Sequence, residues 1–235
     1  MPILSVSCSL FLFIVTAAGI TAFHVTIPHS KSSTKYLLVG KGFDFSSTIG
    51  WEEYYQCDDS VIEWHFSIPL EVIADLVPIK STCLVVGCGN SHLPRVIYNR
   101  REPLSLACLD SSQTCLDQLQ QRDGASCPRM TFLLGNAVKL TKVLHGINKY
   151  DSIVDKGLLD ALMCGEGWND PIAQLLDEVG QVLRTGGTYL LVCYKLSSAT
   201  REFLEQVGNK AGLSWIFDLE GSNDRVSISI ACKII

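Results

Sequence analysis

"LVVGCGNSHLPRVIY", residues 84–98, reads as an apolar strand, a glycine turn and the start of a helix. Glycine at 87 and 89 tolerates unusual φ and lets a ligand approach the backbone closely. The same pattern of elements repeats downstream. "TCLVV" (82–86) is the first strand, with a helix expected from Ser91. "LSLACLD" (104–110) is a second strand closing on Asp110, and the helix "SSQTCLDQLQQ" (111–121) follows it. "MTFLLGN" (130–136) and "DSIVDKG" (151–157) supply a third and a fourth strand. In "NDPIAQLLDEVGQVL" (169–183), Ile172, Leu175, Leu176, Val179, Val182 and Leu183 recur at helical spacing. Asp170 is placed to cap that helix, and Pro171 suits its first position. Gly186–Gly187 then breaks the chain before a buried strand, "TYLLVCY" (188–194). Strands joined by helices imply right-handed βαβ units and a parallel sheet covered on both faces, a doubly wound α/β fold.

Composition narrows the partners. The chain has 235 residues and a net charge of −5, with no Lys/Arg-rich block. That length suits one full-sized core, and the missing basic stripe argues against nucleic acid as a partner. None of the ten cysteines forms a C-x-x-C pair or a zinc-spaced cluster, so no metal site is expected. Several lie in apolar runs, where a thiol behaves as a small core hydrophobe in a non-oxidising compartment.

Residues 1–22 carry no charge, and the apolar stretch Leu10–Ile20 is short for a membrane span. Small residues follow it and Ala22 could end a secretory signal, although the positive n-region is missing. Residues 23–48 begin Ser/Thr-rich, carry Lys31, Lys35 and Lys41, and have no acid before Asp44. A signal followed by such a transit-like segment resembles the bipartite presequence of complex algal plastids. Plastid import is therefore the favoured location, with mitochondrion and secretory pathway as alternatives, and residues 49–235 are left as the functional domain. No stable membrane insertion of that domain is expected.

The C-terminal part changes character. After a helix over Ala199–Ala211, "LSWIFDL" (213–219) and "RVSISIACK" (225–233) are separated by the turn cluster "EGSND". Val226, Ile228 and Ile230 alternate with Ser227 and Ser229, the mark of a half-buried strand. So short a connection forces antiparallel pairing. An α/β sheet ending in an antiparallel hairpin is the order expected of class I methyltransferases, which use S-adenosylmethionine. In doubly wound sheets ligands bind at the carboxyl ends of the strands, near the switch in strand order. Asp110 stands at the end of the second strand, where a carboxylate can accept both hydroxyl hydrogens of a ribose. The same logic serves NAD, but G-x-G-x-x-G needs a third glycine where this chain has His92.

"YDSIVDKGLLDAL" (150–162), taken with "LVVGCGNS", resembles the seven-strand protein-lysine methyltransferases that carry a D-K-G-T-L-D-A-L motif. That group includes the methyltransferases of translation elongation factor and of mitochondrial citrate synthase. The likeness extends over about residues 50–233 and takes in "WEEYYQCDDSVIEWHFS" (51–67), similar to the family's W-[DE]-x-x-Y element. It implies a Rossmann-like, mostly parallel seven-stranded sheet with an N-terminal helical cap. It also implies S-adenosylmethionine as cofactor and a protein lysine as acceptor. By the same resemblance Trp51, Tyr55 and Trp64 close over the cofactor, and Gly87, beside Gly89, packs beneath its methionine portion. Asp110 and Ser111 hold the ribose, Asn136 and Ala137 contact adenine, and Lys156 lies beside the cofactor, acting through its backbone. Asp155 faces the transfer site, where it could orient the amine or take its proton; the alternative is that it caps the following turn. Asp160 is read as structural, and for the three aromatics plain core packing is the competing role. Two positions depart from the family: Asn136 replaces an Asp, and Leu158 replaces the Thr after D-K-G. A small-molecule acceptor and a non-catalytic cofactor-binding module remain open.

Overall fold

The computed structural model describes residues 9–16, 19–26, 43–146 and 149–234. Residues up to 44 and residues from 45 onward are separate compact units. The first contains an antiparallel ladder of β1 (Ser9–Thr16) and β2 (Gly19–Thr26), with Ser9 opposite Thr26. Apart from these strands and residues 43–48, the targeting segments expected over 1–22 and 23–48 lie outside the described residues.

The second unit is built on a seven-stranded sheet. In chain order it comprises β3 (Thr82–Val86), β4 (Ser105–Asp110), β5 (Met130–Leu134), β6 (Tyr150–Lys156), β7 (Leu183–Tyr194), β8 (Leu213–Ile216) and β9 (Val226–Lys233). Their spatial order is β5-β4-β3-β6-β7-β9-β8, and β9 alone runs against its neighbours. The order reverses between β3 and β6, which makes their carboxyl ends the natural ligand crevice.

Alternation along the strands serves two cores. Leu84, Val86 and Ile153 pack with Leu175, Leu176 and Val179 of α7 (Asn169–Val182) and with Leu204 of α8 (Ser198–Lys210). Cys83, Val85 and Val154 pack instead with Ile73 of α2 (Leu70–Asp75), Ile97 of α3 (Leu93–Arg101) and Leu116 of α4 (Gln113–Asp123). Among the described residues six cysteines are buried, five of them within these two cores, as small hydrophobes. α1 (Thr48–Cys57) precedes the sheet, α5 (Leu140–Leu144) follows β5, and α6 (Leu158–Met163) follows β6.

Three local expectations need correction. Ser227 and Ser229 are not on a wet face. β9 has both edges paired, and its two faces meet the two cores, Val226 and Ile228 in one and Ala231 in the other, so both serines are buried. Their hydroxyls are satisfied, Ser227 donating to Asp218 at 2.7 Å and lying 3.1 Å from Ser229. Asp170 does not cap α7. Trp168 is the capping residue, while Asp170 sits in the first turn, where its charge still complements the exposed N–H groups. Gly186–Gly187 does not end a segment either: β7 runs through it, and the ladder with β6 jumps from Tyr150–Leu183 to Ser152–Thr188.

Candidate functional site

A cavity of about 320 Å³ opens at the carboxyl ends of β3, β4, β5 and β6, within the roughly 300–1,000 Å³ usual for small-ligand sites. All ten residues expected to touch a cofactor line it. Trp51, Tyr55 and Trp64 come from the cap, Gly87 and Gly89 follow β3, and Asp110 and Ser111 end β4. Asn136 and Ala137 follow β5, and Lys156 ends β6.

The glycine turn is a requirement of space as well as of φ. Gly87 and Gly89 have φ of +55° and +53°. A Cβ on Gly87 would lie 2.9 Å from the Cβ of Leu158, and one on Gly89 would lie 2.9 Å from the Tyr55 hydroxyl. Asp110 is held rigidly beside this turn. Its Oδ2 accepts from Gly89 N at 2.9 Å and its Oδ1 from Ser112 N at 3.0 Å. Burial pushes its carboxyl up, against the pull of N–H donors from Gly89, Ser112 and Ser111. An ionised carboxylate offers about four lone-pair sites, so capacity remains for hydroxyl donors from a ligand. At the far side, Asn136 Oδ1 accepts from Val138 N at 3.0 Å and caps a single 3-10 turn, Ala137–Lys139. Its amide keeps a donor that the family's Asp lacks, so it can meet both the amino group and a ring nitrogen of adenine.

The cap is an aromatic cluster fastened by carboxylates. Ser47 starts α1, its hydroxyl accepting from Gly50 N at 3.1 Å. Trp51 stacks on Tyr55 with ring centres 6.0 Å apart and meets Trp64 edge-on at 6.2 Å. From the same helix, Glu52 reaches the start of α4, accepting from Ser112 Oγ at 2.6 Å and from Thr114 Oγ1 at 2.5 Å. Those bonds, Ser112's above all, hold its carboxyl down at about 2. Glu63 accepts from Ser91 Oγ at 2.7 Å, His92 N at 2.6 Å and Lys156 Nζ at 3.1 Å. The Lys156 ammonium also donates to Trp64 O at 3.1 Å. Burial pulls that ammonium down and Glu63 opposes the shift. Its charge is thus spent on the cap. Buried Asn90 ties the same segment through Ile62 N and Ser60 O.

Glu63 and Asn90 went unremarked in the sequence, and Glu52 entered only as the acid of W-[DE]-x-x-Y with no role of its own, because these partners lie 28 to 93 residues away. Glu52→Gln is expected to weaken cofactor binding about fivefold by loosening the cap, as measured by calorimetry. The sign of its pH effect follows from its depressed carboxyl. Glu52 stabilises the wild type above the unfolded value near 4.5, and that stability is lost as pH falls toward 2. The stability gap between wild type and variant, read from urea unfolding, should therefore close below pH about 4.5.

Asp155 stands apart. It shares its face of β6 with Ile153, two residues back, so it points into the α7 side of the sheet and does not line the cavity. The side chain is fully buried. Its Oδ1 accepts from Leu158 N at 2.9 Å and its Oδ2 from the Tyr189 hydroxyl at 2.8 Å. Asp155 therefore caps the turn into α6, the alternative role. The remaining motif residues have comparable tasks. Gly157 takes φ +92° against Trp64. Asp160 accepts from Tyr194 N at 3.0 Å and pairs with His65 Nε2 at 2.8 Å. Among the described residues no cluster of His, Cys, Asp or Glu could hold a metal ion, and no helix is long and apolar enough to cross a membrane.

The fold matches solved proteins. A methyltransferase from Pyrococcus furiosus superposes with a TM-score of 0.58 at 14% identity, covering 74% of this chain and 89% of that one. The chain has the class I methyltransferase fold. No family model matches the sequence. Homologues do: the mouse eEF1A lysine and N-terminal methyltransferase is 30% identical over 199 residues, 81% of this chain and 28% of the mouse protein. The bovine EEF1A lysine methyltransferase 4 is 26% identical over 179 residues, 70% of this chain and 66% of that protein. The chain thus spans little more than a quarter of the mouse relative's length. On the methyltransferase fold, the crevice beyond β3 and β4 is where the glycine turn and Asp110 meet.

Proposed function

We propose that the protein is an S-adenosylmethionine-dependent methyltransferase that modifies a lysine side chain of a protein, with elongation factor 1A as the first acceptor to try. The observation carrying this reading is Asp110, buried at the end of β4, anchored by Gly89 N and Ser112 N, with acceptor capacity left on the cavity side. Two hydroxyls of a ribose fit that capacity, and the Asn136 amide fits an adenine edge. The names of the homologues support the acceptor class.

S-adenosylmethionine, when bound, supplies a methyl group already activated on a sulfonium sulfur. The chain's own contribution is placement, the main lever for such a reaction. Asp110 and Asn136 fix the adenosine. The faces of Trp51, Tyr55 and Trp64 exclude water and suit a positive centre. A lysine amine has an ordinary pKa near 10.4. The apolar wall of Leu158, Ala161, Leu162 and Pro171 disfavours its charged form by desolvation.

Calorimetry with S-adenosylmethionine and S-adenosylhomocysteine tests the cofactor, and methyl labelling of elongation factor 1A and of a cell extract tests the acceptor. Binding and label on a discrete protein band, mapped to lysine, are expected. No binding at millimolar ligand would end the reading. Label confined to small molecules would leave the cofactor and remove the protein acceptor.

A further inference from the structure

We propose that Glu166 is the residue that first receives the amine of the methyl acceptor, as the ammonium that then loses its proton to water at this open rim before the free amine is methylated, so that the site selects primary amines. This rests on the methyltransferase reading and adds the acceptor-recognition residue to it.

Among the described residues, three that carry a charge line the cavity: Asp110, Lys156 and Glu166. Two are committed. Asp110 is buried among backbone N–H donors, and Lys156 is held by Glu63 and the Trp64 carbonyl. Glu166 is exposed, and among the described residues it has no hydrogen-bond or ion-pair partner. An unpaired carboxylate on an otherwise apolar wall is a ready receptor for an ammonium, through a charge-assisted bond.

Its position separates it from the adenosine end. Asp110 ends β4, whereas Glu166 lies between α6 and α7, downstream of β6. β4 and β6 flank β3 on opposite sides, so the two carboxylates reach the cavity from opposite sides of the glycine turn. The backbone around Glu166 is anchored on one side and open on the other. A Cβ on Gly165 would lie 2.9 Å from the Ser46 side chain, so the loop packs against the approach to α1. A Cβ on Gly167, whose φ is +65°, would meet nothing within 4 Å among the described residues, so a macromolecular acceptor can come to this rim.

The α-ammonium of the cofactor's methionine portion is the other source of the same chemistry, and the test distinguishes the two. S-adenosylhomocysteine and sinefungin share that α-ammonium, but sinefungin has a carbon in place of the sulfur, and that carbon bears a second primary amine where the cofactor carries its methyl group, directed to the transfer side. Both are titrated calorimetrically into wild type, Glu166→Gln and Glu166→Lys, and the readout is the ratio of their affinities. Wild type is expected to favour sinefungin about tenfold, Glu166→Gln to remove the preference and Glu166→Lys to reverse it. A ratio unchanged in both variants overturns the proposal. So does an equal loss for both ligands, which would assign Glu166 to the cofactor's own ammonium. If neither ligand binds wild type, the cofactor reading falls and this inference with it.

Discussion

Asp110→Ala is expected to raise the dissociation constant for S-adenosylhomocysteine by at least about a hundredfold. Hydrogen bonds to a charged acceptor contribute roughly 1.5–3 kcal/mol each, and a ribose offers two hydroxyls. At about 1.4 kcal/mol per factor of ten, losing both reaches that range. The same substitution orphans Gly89 N and Ser112 N, which now donate to the two carboxylate oxygens. That costs about 1–3 kcal/mol of folding stability, so a thermal melt must accompany the calorimetry. A variant that stays folded and binds within threefold of wild type would remove Asp110 from the ribose.

The second large effect concerns a group outside the cavity. Burial pushes the Asp155 carboxyl up to about 7, against the donors Tyr189, Leu159 and Leu158. Between its unfolded value near 3.9 and about 7, the folded chain holds a proton here that the unfolded chain has released. The contribution of Asp155 is thus most favourable below pH about 4 and declines as pH rises through about 7. Asn in its place carries no titrating proton and still accepts from Leu158 N. Asp155→Asn is therefore expected to shrink the fall in stability between pH 5 and pH 8 by on the order of 2 kcal/mol, read from urea unfolding. Parallel pH curves for variant and wild type would show that the carboxyl titrates normally. Methyl transfer should persist in this variant, because Asp155 does not line the cavity.

How much of this could be read from the chain alone depends on the distance over which each residue acts. Asp110 and the glycine turn were legible because their roles follow from position at a strand end, a local property of sequence. Asp155 also ends a strand, but its role turns on which face it takes, and only the pairing of β6 with β7 brings Tyr189 to its side. Adjacent Lys156 takes the other face and meets the cap. The serines of β9 misled for a related reason. Alternation of Ile with Ser looks like one wet face, yet a strand set inside the sheet can satisfy hydroxyls on each other and on Asp218. The tasks of Glu52 and Glu63 gave no local signal, since their partners belong to α4, α3 and β6 and are assembled only by the tertiary fold. Glu166 sits in a loop without periodicity. Its cue was chemical, an acid between two glycines, and that acquires meaning only beside a cavity.

The seating of β9 between β7 and β8 has a bearing on biosynthesis. Both neighbours are made earlier, and until residue 233 has left the ribosome each presents an unpaired strand edge toward the gap. The sheet cannot close progressively behind the exit tunnel. A nascent chain must carry an incomplete layer, then admit β9 between two strands that are already present, so these late contacts are the ones that join β8 to the rest of the sheet. Premature termination anywhere upstream of Val226 would leave a split sheet rather than a slightly shortened one.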